Sequence, residues 1–323
     1  MAEFLRSMIK KDLALVPGAA ENEFDLPVNP LSHLNLTLKF LNNGVNIKAT
    51  FANILTILQS VKVMYKGASV INTNLEDLAM YVMYQLGREF MMENVINTDD
   101  AARSIVMPIP FGRRLYWPDE CFPATQRGDF IFKWQPSAAA VAGLDTALMS
   151  VEAVQLLEAA PKRFFRFLTK SATPTATGKA KYDLPRGNDL YGVLLRATTV
   201  PTGIVYTKSI DDATLEIDEI ERYFNETRWE ELHAALADRV GIPNSWSEKI
   251  HRVTAAPPTD TDGEEQVNTN MNNYALMDLD PLLNDQYAIK TEGLGSLRLV
   301  LNHGDVQAVK ICTIESVPVP GGG

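Results

Sequence analysis

VKVMYKGASVINTNLEDLAMYVMYQLG, Val61 to Gly87, and LEIDEIERYFNETRWEELHAALADRVG, Leu215 to Gly241, lie 154 residues apart and align without a gap. Val61 and Val63 fall on Leu215 and Ile217, alternating with polar residues as one buried face of a strand requires. Further on, Leu75-Glu76-Asp77-Leu78 falls on Trp229-Glu230-Glu231-Leu232. From there the apolar spacing turns helical in both copies, and each helix stops at a glycine, Gly87 or Gly241. Asn74 stands where an N-cap is expected, and Thr227 lies near the start of the second helix.

The correspondence extends outward. At the same offset LTLKFL from Leu36 meets LYGVLL from Leu190; at 167, FIFKW from Phe130 meets LRLVL from Leu297; at 163, SVEAV from Ser150 meets TIESV from Thr313. The changes of offset fall on turn-rich stretches, Thr254–Asn270 in the second copy and Ser137–Gly143 in the first. Matched strands, matched helices and loops that absorb the differences imply a tandem duplication. Turn residues separate the strands, which favours antiparallel sandwiches over βαβ units. The reading is all-β, with two tandem eight-stranded jelly rolls, each carrying a helix in a long inter-strand connection. Residues 34–170 form the first jelly roll and 182–323 the second, joined by a polar linker at 171–181 (SATPTATGKAK).

Residues 1–33 read as an arm and connector. Phe4, Leu5, Met8 and Ile9 share one face of a helix, with Arg6, Lys10 and Lys11 elsewhere, which suits a membrane surface or a partner's groove. Pro17, Gly18, Pro27 and Pro30 then break regularity. Deleting Met1–Asp12 is expected to leave the fold intact.

The composition of the 323 residues excludes several classes. With 46% apolar and 22% charged residues the chain is ordinary globular material, of a length for about two domains. A net charge of −10, without a dense Lys/Arg run, excludes genome coating and specific nucleic-acid binding. Cys121 and Cys312 are too few and too far apart for a disulfide framework or a zinc site. No apolar run approaches the ~20 residues of a membrane helix, and no signal peptide is evident, so synthesis in a reducing cytoplasm is expected.

Catalytic motifs are lacking: no G-x-S-x-G elbow, phosphate loop or dinucleotide fingerprint occurs. His33, His233, His251 and His303 show no ligand spacing and read as surface or turn residues. Asp278/Asp280 and the helix-entry acids Glu76, Asp77, Glu230 and Glu231 read as solvated turns and helix N-termini. Calcium is the one cofactor with a candidate site, at Asp260, Asp262 and Glu264 beside Glu265, although the glycine stands fourth and not sixth as in an EF-hand. The dense run Arg163–Phe167 (RFFRF) is a candidate interface.

Four stretches, Ala49–Leu78, Ile109–Trp134, Tyr223–Leu236 and Ala275–Gly304, give the chain a pattern and order that resembles the double jelly-roll major capsid proteins of tailless icosahedral bacteriophages with an internal membrane. The resemblance implies a non-enzymatic virion protein that forms homotrimers, each a six-lobed, near-hexagonal tile of the capsid lattice. It also implies a pentameric vertex protein, because six lobes cannot occupy a five-fold position. The arm would face the internal lipid membrane or minor membrane proteins. The alternative is a carbohydrate-binding or glycan-processing β-sandwich, which calls for exposed Trp or Tyr beside carboxylates in one cleft.

Overall fold

A computed structural model describes residues 3–43, 49, 51–88, 91–93, 102–200, 208–241, 253–254, 259–260 and 273–319. Up to residue 157 the chain forms β1 (Glu3–Ala14), β2 (Asn22–Asp25), β3 (Leu31–Asn42), α1 (Phe51–Leu55), β4 (Leu58–Tyr65), β5 (Ala68–Thr73), α2 (Leu75–Leu86), β6 (Met91–Glu93), β7 (Ala102–Pro110), β8 (Phe130–Pro136) and β9 (Leu144–Leu157). Then come β10 (Arg163–Ala172), β11 (Gly178–Asp183), β12 (Asp189–Arg196), β13 (Asp212–Ile217), β14 (Ile220–Glu221), β15 (Thr227–Arg228) and α3 (Trp229–Val240). The hairpin β16 (Val253–Thr254) and β17 (Thr259–Asp260) precedes β18 (Tyr274–Asp278), β19 (Leu297–His303) and β20 (Val309–Pro318).

Three sheets carry the architecture, in the orders β1-β9-β3-β7-β6, β18-β12-β20-β10-β5-β4-β8-β2 and β11-β19-β13-β14. Each copy is a jelly roll, and the two share the central sheet. In the first copy β1-β9-β3-β7 face β2-β8-β4-β5; in the second β10-β20-β12-β18 face β11-β19-β13-β14. The aligned stretches are topological equivalents: β4 with β13, β3 with β12, β8 with β19, and α2 with α3, α2 following β5 after β4 and α3 following β14 and β15 after β13.

The central sheet is continuous because β10 pairs in parallel with β5, Phe167 opposite Ile71, while pairing antiparallel with β20. One cross-strand row runs Phe24, Phe132, Val63, Ile71, Phe167, Ile314, Gly192, Asp278 across all eight strands. At the first copy's end this face meets the first sheet. At the other end α2 and α3 cover it, so Leu236 and Val240 of α3 join Tyr274, Leu276 and Ile314 in the first copy's core. The second core lies on the opposite face, between β12, β18 and β20 and the third sheet.

Two sequence expectations are corrected. The arm is a strand and not a helix: β1 pairs antiparallel with β9 from Glu3↔Leu157 to Ala14↔Leu148. Its register shifts between Met8 and Lys10 and again between Lys10 and Leu13. Before the first shift Phe4, Leu5 and Met8 are all exposed, so no alternation of buried and exposed sites marks the strand, and with Ile9 their spacing imitates a helix face. The other correction concerns 171–181, which is mostly strand, since Ser171 and Ala172 close β10 and Gly178 opens β11. The lysines of β11 alternate outward along an open sheet edge, a polar pattern that guards edges and imitates a linker in sequence.

Removing Met1–Asp12 therefore takes away most of a strand. Its loss would turn β9 into an edge with unpaired backbone groups along a largely buried strand. The expected result is a lower urea midpoint and aggregation during refolding. An unchanged midpoint would show that β1 adds nothing to the sheet.

Candidate functional site

The feature that sets this molecule apart from two beads on a string is the seam between its copies, built from α2 outward. Asn74 caps α2 by accepting from the Asp77 N–H at 2.8 Å, and Gly87 ends it in the left-handed region at φ 59°. Nearly every α2 side chain is buried, including Glu76, Asp77 and Gln85. A helix with so few polar residues is apolar all round and belongs inside.

Its two acids meet the second copy. Asp77, with no exposed surface, accepts from the Tyr274 hydroxyl at 2.6 Å and from Lys310 Nζ at 3.1 Å. Arg196 reaches Asp77 at 3.5 Å and pairs with Glu76. Burial pushes the Glu76 carboxyl upward, and the Arg196 charge partly opposes it. Farther along α2, the Tyr84 hydroxyl donates to Asp278 Oδ1 at 3.3 Å, while the Arg239 guanidinium of α3 lies over the Tyr84 ring at 4.8 Å.

A second cluster closes the end of the seam where the 111–129 and 279–296 loops meet. Arg113 pairs with Glu120 of its own loop, and with Asp280 at 3.0 Å and Asp285 at 2.6 Å across the seam. Arg163, at the start of β10, also holds Glu120 and donates to the Tyr191 hydroxyl at 2.6 Å. Burial alone would raise the Glu120 carboxyl, but hydrogen bonds from Arg113 and the Arg163 charge outweigh it and hold it below the usual carboxylate range. Gly112 permits this loop, because a Cβ there would stand 2.0 Å from the Glu120 carbonyl oxygen.

The carboxylates of these clusters are engaged by arginine, lysine and tyrosine side chains. Asp278 and Asp280, read as solvated, are half-buried and buried respectively, and committed to Tyr84 and Arg113. Glu76 and Asp77 likewise depart from that reading. Of the RFFRF run, Phe165 and Phe167 enter the core while Arg163 and Arg166 pair with carboxylates, Arg166 with Glu315. Sequence reasoning missed Arg113, Arg196, Tyr274 and Lys310; the near absence of a polar face on α2 was the available signal.

Of the calcium candidates, Asp260 falls on the short strand β17, and Asp262 and Glu264 lie outside the described residues, as do Glu265 and His251. No group of three His, Cys, Asp or Glu side chains among the described residues could hold a metal ion. Along β1, Phe4, Leu5 and Met8 are exposed, Ile9 packs on the core, Lys10 lies over the Phe24 ring at 5.8 Å, and Lys11 is exposed.

The histidines are held in place. His233 Nδ1 lies 2.7 Å from the Tyr274 carbonyl, and His303 Nε2 lies 2.8 Å from the Tyr182 hydroxyl. His33, buried on the outer face of β3 beneath Tyr116, has its pKa lowered to about 4 by burial and then by Arg6. Above its unfolded value near 6.5 it is neutral in both states and adds no pH dependence. As pH falls from there to about 4 the unfolded chain binds the proton and the native one does not, so stability drops, by at most ~1.4 kcal/mol per pH unit. His33→Gln should flatten that stretch of a urea-midpoint profile; superimposable profiles would refute the assignment.

No protein-family model matches the chain, and no curated protein matches it. Solved structures do. The chain is similar to a chain of the atomic structure of Sulfolobus Turreted Icosahedral Virus, with TM-score 0.70, 12% identity and coverage of 98% and 91% of the two chains. It is also similar to the major capsid protein of Bacteriophage PM2, at 0.57 and 14% over the full length of both. The PBCV-1 virus capsid gives 0.61 and 12%, over 98% and 94%. Strand order, the shared sheet and these whole-length likenesses together give the chain the double jelly-roll fold of viral major capsid proteins.

Proposed function

We propose that the protein is a major capsid protein, a non-enzymatic shell subunit that self-assembles as trimers into an icosahedral virion. The observation that carries this reading is the continuous eight-stranded sheet, which locks two similar lobes, 1–157 and 163–323, into one block. Two lobes per chain and three chains per axis give a six-lobed tile that packs edge to edge on a flat facet. A five-fold vertex then needs another, pentameric protein. The internal lipid membrane or its minor proteins would meet the tile at the end bearing Phe4 and Leu5. Synthesis belongs to the host cytoplasm, and the finished protein to the virion.

A glycan-processing reading would draw its paired acids from Asp278 and Asp280, and both are engaged in the seam. Negative-stain electron microscopy of the purified protein tests the shell reading. Six-lobed trimers or closed particles are expected; persistent monomers over the concentrations reached in assembly would overturn it.

A further inference from the structure

Twelve large apolar side chains are exposed among the described residues. Eight of them, Phe4, Leu5, Val28, Tyr116, Trp117, Ile220, Leu282 and Tyr287, sit at the one end where the 111–129 and 279–296 loops meet. Contacts tie this end together: the Phe4 ring lies 5.4 Å from Tyr116, Lys162 N–H donates to the Asp119 carbonyl, and Asp218 N–H to that of Ser296. Exposed apolar residues scattered singly need no account, but a grouped set marks a contact surface.

A cleft of about 460 Å3 opens into the same end, lined by four cations, Arg113, Arg114, Lys162 and Arg163, and three carboxylates, Asp119, Glu120 and Asp285, with Trp117 at its side. Arg113 and Arg163 spend their charge on Glu120, Asp280 and Asp285. Arg114 pairs with no carboxylate among the described residues, and its guanidinium lies over the Trp117 ring at 5.2 Å. Lys162 has only a 3.9 Å approach to the Asp119 carboxylate, with both side chains more than half exposed. The cleft thus offers Arg114, with no carboxylate partner among the described residues, and Lys162, held only at 3.9 Å by Asp119, beside an indole that is 41% exposed. Nucleic acid is the wrong polyanion for it, since a chain of charge −10 repels a long phosphate backbone while two cations still hold one phosphate.

We propose that this cleft is a phosphate site that takes the headgroup phosphate of a phospholipid. Arg114 and Lys162 bind the phosphate, and Trp117, Tyr116 and Phe4 seat at the boundary between headgroups and acyl chains, where amphipathic rings are favoured. This deepens the lipid contact of the proposed function and rests on it. It moves the contact from an amphipathic helical arm to a cleft between two lobes.

The test is co-sedimentation of the full chain with vesicles of phosphatidylcholine, with and without phosphatidylglycerol, alongside thermal melting in inorganic phosphate. Arg114→Gln and Lys162→Gln should each weaken binding to phosphatidylglycerol vesicles about fivefold, the effect of ~1 kcal/mol per basic residue near an anionic surface. Trp117→Ala should weaken binding to both vesicle types alike. All three positions are on the exterior, so melting temperatures should stay at the wild-type value. Failure to sediment with either vesicle, or variants that bind like wild type, would overturn the proposal. So would stabilisation by inorganic phosphate alone without vesicle binding, which would make the cleft a free-phosphate site. Trimers seen by electron microscopy in a sample that ignores vesicles would sink this inference and leave the shell reading standing; absence of trimers would sink the shell reading itself.

Discussion

Asp77→Ala should destabilise the protein by about 3–5 kcal/mol, the range measured when one member of a buried charge set is removed. The carboxylate has no exposed surface and serves Tyr274, Lys310 and Arg196 at once. Without it the Tyr274 hydroxyl, wholly buried, loses its acceptor, and the half-buried Lys310 ammonium loses its ion-pair partner. Because all three partners come from the second copy while Asp77 belongs to the first, the loss falls on the seam. Urea unfolding should change from one transition toward two, as the lobes begin to open separately. Asp183→Ala, at an ion pair whose carboxylate is 86% exposed, should stay within ~0.5 kcal/mol of wild type. A wild-type midpoint for Asp77→Ala would show that the seam depends on the sheet alone.

Gly112→Ala is the other substitution with a large expected effect. The added Cβ would stand 2.0 Å from the Glu120 carbonyl oxygen and 2.9 Å from its carbonyl carbon. Those atoms are backbone, so relief requires the loop to move, and Glu120 moves with it. Overpacking of this kind costs ~1–3 kcal/mol and occasionally more. Displacing Glu120 from Arg113 and Arg163 adds a further loss, and a total of about 3 kcal/mol or above is expected. Since both effects pass through Glu120, adding Glu120→Ala to Gly112→Ala should cost clearly less than Glu120→Ala alone costs in wild type. Strict additivity in that double-mutant cycle would separate the glycine from the cluster.

The strands with clean alternation were legible in the sequence. Leu34 to Phe40, Phe130 to Trp134 and Leu297 to Leu301 each place one row in a core, and the 154-residue offset paired true equivalents. Legibility failed wherever a residue's partner lay in the other copy. Glu76 and Asp77 look like any acids opening a helix, and only the distant Arg196, Tyr274 and Lys310 make them interior. Arg163–Ala172 looked like the end of the first copy because its neighbours, β5 and β20, lie about 100 and 150 residues away in the chain. The β1 strand was hidden for a local reason, since Phe4, Leu5 and Met8 are exposed alike and give no alternation. Composition alone indicated nothing about the cleft, since Arg113 and Arg114 differ only in which carboxylates the fold brings near them.

The parallel join of β10 to β5 also constrains how the polypeptide must be made. On a ribosome the first copy is complete long before β20, the element that completes the middle of the shared sheet, has emerged. During that interval β10, once it has joined β5, presents a raw edge where β20 will pair, and α2 shows water a surface designed for the interior. Translation therefore passes through an adhesive half-built stage, and its lifetime sets how much of the product is lost to tangling between neighbouring nascent chains.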